Sequence, residues 1–281
     1  MLTNKEDIQQ WLDKNRIEKY IINDDLTIDV NGEVYIKNRS LKEIPLQFKT
    51  VKGDFNCANN DLISLKGCPE IVEGSFYCED NKLSSLEYCP SSLEGNFYCY
   101  SNQLKSLKHC PIFIKTDFDC SFNSLVSLEN CPKVVGHNFF CDNNKITSLE
   151  YSPSVIKGKF FCYNNKLSSL EYTPEIVGGD FNCACNKIAS LKVSPKIVKG
   201  EFNCNKNPIN NLKDFICEFK IFSHIIDKND NKIMSFENLY ETKEDKESLY
   251  ITYNQFQNAL LYKKLNKEVK NKIGISKKTK L

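Results

Sequence analysis

The amino-acid sequence predicts a solenoid in which short parallel strands stack into one continuous sheet. Three observations predict it: a cysteine recurs at every twenty-first position, a phenylalanine stands two positions before each of these cysteines, and an asparagine stands three positions after. Eight consecutive coils keep this register, and each also keeps a leucine eight positions after the cysteine. Self-similarity at a fixed short period is the signature of repeat architectures, in which each coil contacts only its neighbours. The cysteines are Cys57, Cys78, Cys99, Cys120, Cys141, Cys162, Cys183 and Cys204.

The Phe-x-Cys segment of each coil predicts a short β-strand. Side chains two positions apart point to the same face of a strand, so Phe55 and Cys57 are expected inside and Asn56 outside. Identical strands stacked in register form a parallel sheet with about 4.8 Å between neighbouring strands. The asparagine that follows, Asn60 in the first full coil, stands where the chain leaves the sheet. Its amide is suited to bond backbone groups of neighbouring coils.

The return segment of each coil predicts extended, polyproline-like backbone without a regular helix. A proline stands in its middle and a glycine closes most copies, and both residue types interrupt helices. A 21-residue coil also leaves little room for a helix. The prolines are Pro69, Pro90, Pro111, Pro132, Pro153, Pro174 and Pro195.

These residues resemble the leucine-rich repeat pattern, with phenylalanine and cysteine in the two strand positions that leucine usually holds. The resemblance covers residues 34–215, about nine coils when a degenerate coil from Val34 to Ile44 is included. It is to the short 21-residue class found in bacterial effectors and large-phage proteins, although proline here stands nine positions after the asparagine instead of six. The resemblance implies a right-handed horseshoe with its parallel sheet on the concave face, an extended, non-helical convex side, and recognition of a macromolecular partner without catalysis.

Residues 1–33 are expected to form an N-terminal cap that opens with a helix. Thr3 and Glu6 form the pattern of a capping box, which marks the start of a helix. Ile8 and Leu12 recur at helical spacing and would face the end of the core.

The same cap is expected to contain a β-hairpin. Residues 26–30 and 33–36 both read as strands, and the Asn-Gly pair between them is typical of a type I′ turn. Helix and hairpin together would close the first coil.

Residues 216–281 are expected to form a C-terminal cap that ends in a basic tail. The repeat pattern breaks after Leu212, and residues 219–221 predict one last strand. Apolar residues at helical spacing predict a short helix over 236–240 and a longer one over 253–270. Eight lysines against one glutamate follow between residues 259 and 281: Lys263, Lys264, Lys267, Lys270, Lys272, Lys277, Lys278 and Lys280.

The composition excludes several classes of protein. The chain of 281 residues carries 38 Lys+Arg against 36 Asp+Glu, and this near balance argues against a dedicated nucleic-acid binder. No run of 18 apolar residues is present, so neither a membrane span nor a membrane partner is expected. The first residues lack the basic start and apolar run of a secretory signal, so a cytoplasmic location is expected, in the host cytoplasm if the protein is viral.

The 14 cysteines allow metal-binding and disulfide interpretations beside a structural one. A second column of cysteines precedes proline, and serine or threonine replaces cysteine there in later coils, so small size is sufficient at this position. No Cys-x-x-Cys pair is present and the cytosol is reducing, so we expect a ladder of buried, reduced thiols and no metal site. The second column is Cys68, Cys89, Cys110, Cys131, Ser152, Thr173 and Ser194.

No catalytic or cofactor site is predicted. The three histidines, His109, His137 and His224, stand in no local pattern with a nucleophilic serine or cysteine. The sequence also contains no phosphate-cradling glycine loop and no pair of histidines at metal-binding helical spacing. We therefore expect a protein that is not an enzyme and carries no cofactor.

The outward positions around each Phe-x-Cys predict an acidic, aromatic surface on the concave face. Seven of these 24 positions, three in each of eight coils, are acidic and one is lysine, a net charge of −6. Phe140 and Phe161 would lie in water there, and aromatic anchors among carboxylates are typical of protein-binding surfaces. The predicted partner-binding residues are Tyr77, Tyr98, Tyr100, Asp119, Phe140, Asp142, Phe161 and Tyr163.

Several interpretations of this surface stay open. Aromatic residues also suit strands and pair across them without any partner. The favoured function is recognition of a protein with a basic or apolar contact surface, and the phage-like resemblance suggests a factor that inhibits a host defence protein. The alternatives are a structural component that self-associates and a protein that sequesters a small ligand. The lysine-rich tail would contact an acidic partner, mask the chain's own acidic surface, or stay in solvent.

Overall fold

The computed structural model describes residues 1–209 in full and, beyond them, the backbone of four strands between residues 218 and 252. The described part is built almost entirely from very short strands. Its elements in chain order are α1 (Lys5–Lys14), β1 (Tyr20–Ile22), β2 (Thr27–Val30), β3 (Val34–Tyr35), β4 (Gln47–Val51), β5 (Phe55–Asn56), β6 (Ile71–Val72), β7 (Phe76–Tyr77), β8 (Ser92–Leu93), β9 (Phe97–Tyr98), β10 (Phe113–Ile114), β11 (Phe118–Asp119), β12 (Val134–Val135), β13 (Phe139–Phe140), β14 (Val155–Ile156), β15 (Phe160–Phe161), β16 (Ile176–Val177), β17 (Phe181–Asn182), β18 (Ile197–Asn203), β19 (Glu218–Ser223), β20 (Ile225–Ile226), β21 (Lys232–Met234) and β22 (Tyr250–Thr252).

The main sheet is a parallel ladder that follows the period of the sequence. Each inner strand pairs with its counterparts in the coils before and after it, as Phe97 does with Phe76 and Phe118. Nine strands in this register make eight turns of a solenoid, which confirms the predicted 21-residue leucine-rich type of repeat and its parallel sheet. The horseshoe curvature stays a prediction. The nine strands are β3, β5, β7, β9, β11, β13, β15, β17 and β18.

A column of phenylalanines forms the centre of the core. The eight rings from Phe55 to Phe202 are fully buried, and the centroids of neighbouring rings lie 5.0–5.8 Å apart. The strand cysteines and the leucine columns pack beside them and are buried as well. Burying one phenylalanine side chain stabilises a fold by about 1.5–3 kcal/mol relative to exposure, so the inward columns hold the coils together.

The asparagine that recurs in every coil forms a ladder of side-chain hydrogen bonds. Asn144 Nδ2 donates to the carbonyl oxygens of Cys120, Cys141 and Asp142 at 3.1–3.2 Å, and its Oδ1 accepts from the Leu125 N–H at 2.9 Å. The same pattern joins neighbouring coils at the other seven asparagines. The predicted role of these amides in satisfying backbone groups at the end of each strand is confirmed.

The return segments form a second parallel ladder. A strand, two residues long in most coils, begins two positions after the proline of each return segment and pairs with its counterpart in a neighbouring coil, as Val72 does with Val51 and Leu93. Among the described strands this pairing is interrupted between β8 and β10 and between β12 and β14. The second residue of each of these strands is buried and the first points outward. The return segment is extended and non-helical, as predicted, but its backbone is paired between coils instead of running as an isolated polyproline-like chain. This ladder comprises β2, β4, β6 and β8, then β10 and β12, then β14, β16 and β18.

The predicted hairpin between residues 26–30 and 33–36 is wrong. Strand β2 pairs antiparallel with β1 and parallel with β4, whereas β3 pairs with β5 in the main ladder. The Asn-Gly pair between β2 and β3 is the corner where the chain passes from one ladder to the other. Val30 and Val34 are both buried because they stand in register with core residues one coil later, and this burial outweighs the local turn preference.

The N-terminal helix is present and covers the first coil. It begins at Lys5, with Asn4 as its N-cap instead of Thr3, because Asn4 Oδ1 accepts a hydrogen bond from the Asp7 N–H at 2.9 Å. Ile8 and Leu12 are buried in the core, as their spacing predicts. The division of the chain at residues 33 and 215 stays a prediction.

At the other end the predicted last strand is confirmed. Strand β19 pairs parallel with β18 and extends the main sheet, and β22 pairs antiparallel with β19. The predicted helices over 236–240 and 253–270 and the lysine-rich tail lie outside the described residues, as does Cys217. Among the described residues, no helix has the length and apolar character needed to cross a bilayer.

Candidate protein-binding face

The outward side chains of the main sheet stand in columns, because parallel strands in register place equivalent residues of successive coils side by side. The column between phenylalanine and cysteine runs through strands β7, β9, β11, β13 and β15. The column after the cysteine runs beside it. We call these two columns over the five coils the acidic-aromatic face, and they contain all eight predicted partner-binding residues. The face consists of Tyr77, Glu79, Tyr98, Tyr100, Asp119, Ser121, Phe140, Asp142, Phe161 and Tyr163.

The first of two aromatic clusters on the face is made of tyrosines. The ring of Tyr98 lies 5.4 Å from that of Tyr77, edge to face, and 6.3 Å from that of Tyr100. Burial is the main cause that raises the pKa of Tyr100 to about 12, and nearby carboxylates add to it. Burial and Asp117 likewise raise the pKa of Tyr98. The phenols therefore stay neutral and offer rings together with hydrogen-bonding hydroxyls.

The second cluster is made mainly of phenylalanines. The rings of Phe140 and Phe161 lie 5.2 Å apart, and Tyr163 lies 6.2 Å from Phe161. Lys159 Nζ lies 5.7 Å from the centroid of the Phe161 ring and 2.9 Å from Asp180 Oδ2. The one lysine among the outward positions is thus already paired with a carboxylate.

Asp119 lies between the two clusters. It pairs in register with Tyr98 on one side and with Phe140 on the other. Its Oδ1 accepts hydrogen bonds from the N–H of Ser121 at 2.9 Å and from the Ser121 hydroxyl at 2.6 Å. Burial raises the pKa of Asp119 to about 6, while the bonds from Ser121 oppose that rise.

Asp117, one position before a core phenylalanine, holds the tyrosine cluster in place. Its carboxylate accepts from the Asn138 N–H at 2.9 Å and from Asn138 Nδ2 at 3.1 Å. The Tyr98 hydroxyl donates to Asp117 Oδ2 at 3.4 Å, and His137 Nδ1 lies 2.9 Å from Oδ1. The partners of Asp117 come from two neighbouring coils, and its bond with the Tyr98 hydroxyl holds that ring in place.

Two further carboxylates of the face are buried and differ in their partners. Asp142 Oδ2 accepts from Asn143 Nδ2 at 2.8 Å, and a bond with Tyr163 also opposes the rise in the pKa of Asp142 that burial causes. Glu79 is 9% exposed, and its Oε2 has no hydrogen-bond partner among residues 1–209. Burial raises the pKa of Glu79 to about 7. Glu79 was not among the predicted site residues, although it stands in the same column as Tyr100.

The exposed apolar side chains of the molecule are not where the sequence led us to expect them. Phe140 and Phe161 are half-buried, because neighbouring rings and side chains cover part of each. Four apolar outward residues of the second ladder are more exposed, at 42–51%. Their signal in the sequence is an apolar residue directly before the buried residue of each of these four strands. We call this set the apolar ladder patch: Ile71, Phe113, Val134 and Val155.

The cysteines of the described part are free thiols, and most are buried. Burial raises the pKa of Cys120 and Cys141 well above its ordinary value, so these thiols stay protonated and unreactive. Cys185 is exposed and stands at a turn with a φ of 55°. Within residues 1–209 and the four later strands, no three His, Cys, Asp or Glu side chains are arranged to hold a metal ion.

The histidines are placed apart from these thiols. His137 is exposed and contacts Asp117. His109 is exposed at a turn with a φ of 72°. His224 lies outside the described residues.

Comparisons with known proteins add a structural likeness. No family model matches the chain, and no curated protein matches it. Among solved structures, YopM from Yersinia enterocolitica WA-314 is similar at 14% sequence identity with a TM-score of 0.35, over 69% of this chain. The match spans 66% of the YopM chain, slightly less than two thirds of its length. By its own register and core, the described part of this chain is a solenoid of 21-residue leucine-rich-type coils.

Proposed function

We propose that this protein is a non-catalytic recognition protein that binds a protein partner through the acidic-aromatic face. The observation that carries the proposal is the pair of aromatic clusters on either side of Asp119, all on the outward surface of five adjacent coils. Rigid, half-buried aromatic rings are the side chains that contribute most to protein–protein affinity. Their backbone is fixed by the ladder, so binding orders few additional groups.

The charge of the face favours a protein with a basic or apolar contact surface. Of the 24 outward positions of the main sheet, seven are acidic and one is lysine, and three of the acids, Glu79, Asp119 and Asp142, lie on the face itself. A surface of this charge repels a phosphate backbone and attracts cationic side chains. The partner is therefore expected to present lysine, arginine or apolar residues.

The biological setting is a finer proposal, drawn from the resemblance to repeat proteins of bacteria and large phages. Within a cytoplasm, such a protein would occupy a host defence protein and inhibit it. The steric mechanism needs no active site, because a partner held over five coils loses access to the surface that is covered.

A second candidate function is self-association, and the apolar ladder patch is the observation that favours it. Phe113 and Val134 are about half exposed and pair in register on β10 and β12, Val155 stands at the equivalent position of the next coil, and no element among residues 1–209 covers them. Contiguous exposed apolar residues mark contact sites. Sedimentation of the wild-type protein beside Val134→Lys tests this role, because only a self-associating protein changes its oligomeric state with the substitution.

The experiment that tests the main proposal is affinity capture with matched variants. The substitutions Tyr98→Ala, Phe140→Ala and Phe161→Ala are combined in one chain and compared with wild type. The control combines Tyr88→Ala, Tyr151→Ala and Tyr172→Ala, three tyrosines that are 52–60% exposed on turns away from the face. A partner retained by wild type and control but lost by the first variant supports the proposal. Retention of every captured protein by both variants contradicts it.

A further inference from the structure

We propose that Glu79, Asp119 and the tyrosine cluster form a pocket for one cationic side chain, lysine or arginine, of the protein partner. This inference rests on the proposed function and deepens it, because it names the group that the partner inserts. It concerns one end of the acidic-aromatic face, and the phenylalanine cluster stays a separate, apolar contact.

The first observation is a buried carboxylate with unused hydrogen-bonding capacity. Glu79 is more than nine-tenths buried, and its Oε2 has no partner among residues 1–209. Leaving such a group unpaired is unfavourable by about 1–3 kcal/mol, and more when it is charged. This oxygen is covered in the unbound structure, so a partner's N–H donor would remove the penalty by displacing the side chains over it.

The second observation is the arrangement of rings around this carboxylate. Tyr77 precedes Glu79 by two positions on the same outward side, and Tyr100 stands beside Glu79 in the next coil. Tyr98 contacts both of these rings, at 5.4 and 6.3 Å between centroids. The faces of aromatic rings attract cations, most strongly the planar guanidinium of arginine.

The third observation is a second carboxylate within reach of the same charge. The negative charge of Asp119 acts on Glu79, and both act on the Tyr100 hydroxyl. Ser121 bonds only to Oδ1 of Asp119, so Oδ2 is not used by that contact. One cation between the rings would lower the repulsion between the two carboxylates.

The neighbouring Asp117 does not share the unused hydrogen-bonding capacity of Glu79. Asp117 lies in the same region and is bonded by Asn138, Tyr98 and His137. Lys37, whose charge lowers the pKa of Glu79, is exposed and forms no ion pair with it among the described residues. A cation brought from outside the described residues would therefore favour the ionised form of Glu79.

The test is a titration of the full-length protein with three small probes. They are N-acetylargininamide, N-acetyllysinamide and the neutral N-acetylcitrullinamide, and the readout is the NMR shift of tyrosine ring signals in protein labelled with ¹³C-tyrosine. We expect the two cations to shift the signals of Tyr77, Tyr98 and Tyr100 along a saturable curve, and citrullinamide to cause no saturable shift. Citrullinamide that binds as tightly as argininamide would overturn the proposal.

The matched variants are Glu79→Gln and Glu171→Gln. Glutamine has nearly the shape of glutamate, and Glu171 is exposed on a turn away from the face, so both changes remove one charge without a cavity. Loss of one charge-assisted bond weakens binding about tenfold or more. We therefore expect Glu79→Gln to lower probe affinity about tenfold and Glu171→Gln to leave it unchanged. Equal affinity for wild type and Glu79→Gln would overturn the proposal.

Deletion of residues 271–281 separates a partner from the chain's own lysine-rich tail. If the probes bind only after the deletion, the tail is the occupant and the proposal of a partner side chain is wrong. If they bind equally before and after, the proposal is supported. A failure of the pocket is distinguishable from a failure of the proposed function, because capture lost by the triple alanine variant stands even when all probes fail to bind.

Discussion

The same coil of this solenoid presents two outward surfaces of different chemistry. On the main sheet, the acidic-aromatic face carries rings that contact one another and carboxylates that are largely buried. On the second ladder, the apolar ladder patch carries side chains that are about half exposed, with the exposed lysines Lys115, Lys133 and Lys157 beside them. Both surfaces are supported by inward columns that hardly vary, so the difference lies entirely in residues that the core does not constrain.

The difference between inward and outward columns teaches where binding properties can change in such a fold. The inward phenylalanine column is identical in eight coils, whereas the outward position beside it is tyrosine, aspartate, phenylalanine or asparagine. A substitution at an outward position changes little of the packing and much of the surface. Variants of the acidic-aromatic face therefore test recognition, and variants of the inward columns test stability.

The largest loss of stability is expected from a substitution in the inward phenylalanine column, which supports both surfaces. Phe118→Ala removes a fully buried ring between Phe97 and Phe139, with centroid distances of 5.6 and 5.3 Å. We expect the free energy of unfolding to fall by about 3–5 kcal/mol in chemical denaturation. Phe113→Ala on the apolar ladder patch is the control and should change it by less than about 0.5 kcal/mol. Equal losses would show that the inward and outward columns do not differ as described.

The second-largest loss of stability is expected from removing an asparagine side chain whose hydrogen bonds join neighbouring coils. Asn144→Ala removes an amide that bonds carbonyl groups of two coils and leaves those buried carbonyls unpaired. We expect a loss of about 1–3 kcal/mol in the free energy of unfolding. The exposed Asn31 provides the control, since Asn31→Ala removes an amide that lies at a corner in solvent. An unchanged stability of Asn144→Ala would mean that the ladder of amides is not structural.

The third effect is a pH dependence of the free energy of unfolding, which arises from Glu79 on the acidic-aromatic face. The pKa of Glu79 is raised from 4.5 to about 7 mainly by burial; a hydrogen bond from its own backbone opposes the rise, Asp80 and Asp119 add to it, and Lys37 lowers the pKa slightly. Its protonated form is favoured in the folded state, so the stabilisation is complete below pH 4.5 and is lost as pH rises through about 7. One carboxyl contributes a slope of at most about 1.4 kcal/mol per pH unit.

The measurement is the free energy of unfolding between pH 4.5 and 7.5 for wild type and Glu79→Gln. We expect the variant to have a flatter profile and to be the more stable of the two at pH 7.5. Asp119, whose pKa is raised to about 6, maintains part of the slope in both proteins. Glu171→Gln should follow the wild-type profile. Parallel profiles for wild type and Glu79→Gln would show that Glu79 is not buried in the folded protein.

The smallest effect on stability is expected at the apolar ladder patch. Val134 is 49% exposed, so Val134→Lys leaves the core intact and should change the free energy of unfolding by less than about 0.5 kcal/mol. Any self-association through the patch would be lost, because a lysine on each copy adds charge to an apolar contact. Sedimentation velocity checks this, and a Glu171→Lys variant, changed on an exposed turn, controls for added charge.

The inward half of this fold was predictable because it repeats. The period and the alternation of the strand determine the positions of Phe55, Cys57, Asn60 and their copies. The same local pattern occurs in eight coils, so each coil supports the prediction for the others. The last strand, β19, lies beyond the break in the repeat pattern and was predicted from the segment Phe219-Lys220-Ile221 after a shortened coil. The hairpin at Asn31 was predicted wrongly because a strong local turn signal was weighed without the register of the next coil.

The outward half was predictable only in part. The column positions of Tyr98 and Phe140 follow from alternation, but their exposure depends on side chains of the neighbouring coils, which differ from coil to coil. Glu79 was not selected because nothing local distinguishes a buried glutamate from a solvated one. The second ladder was not predicted because most of its strands have only two paired residues, too few for a recognisable strand pattern. The pairing of these strands also exists only between coils.

The measurement that tests the central claim most directly is site-specific photo-crosslinking from the two surfaces. Benzoylphenylalanine is placed at position 140 on the acidic-aromatic face, at position 113 on the apolar ladder patch, and at position 172 on an exposed turn. We predict that the partner captured by wild-type protein cross-links from position 140 and from neither of the other two. Cross-links from position 113 or 172 in the absence of any from position 140 would contradict the claim that the acidic-aromatic face is the binding surface.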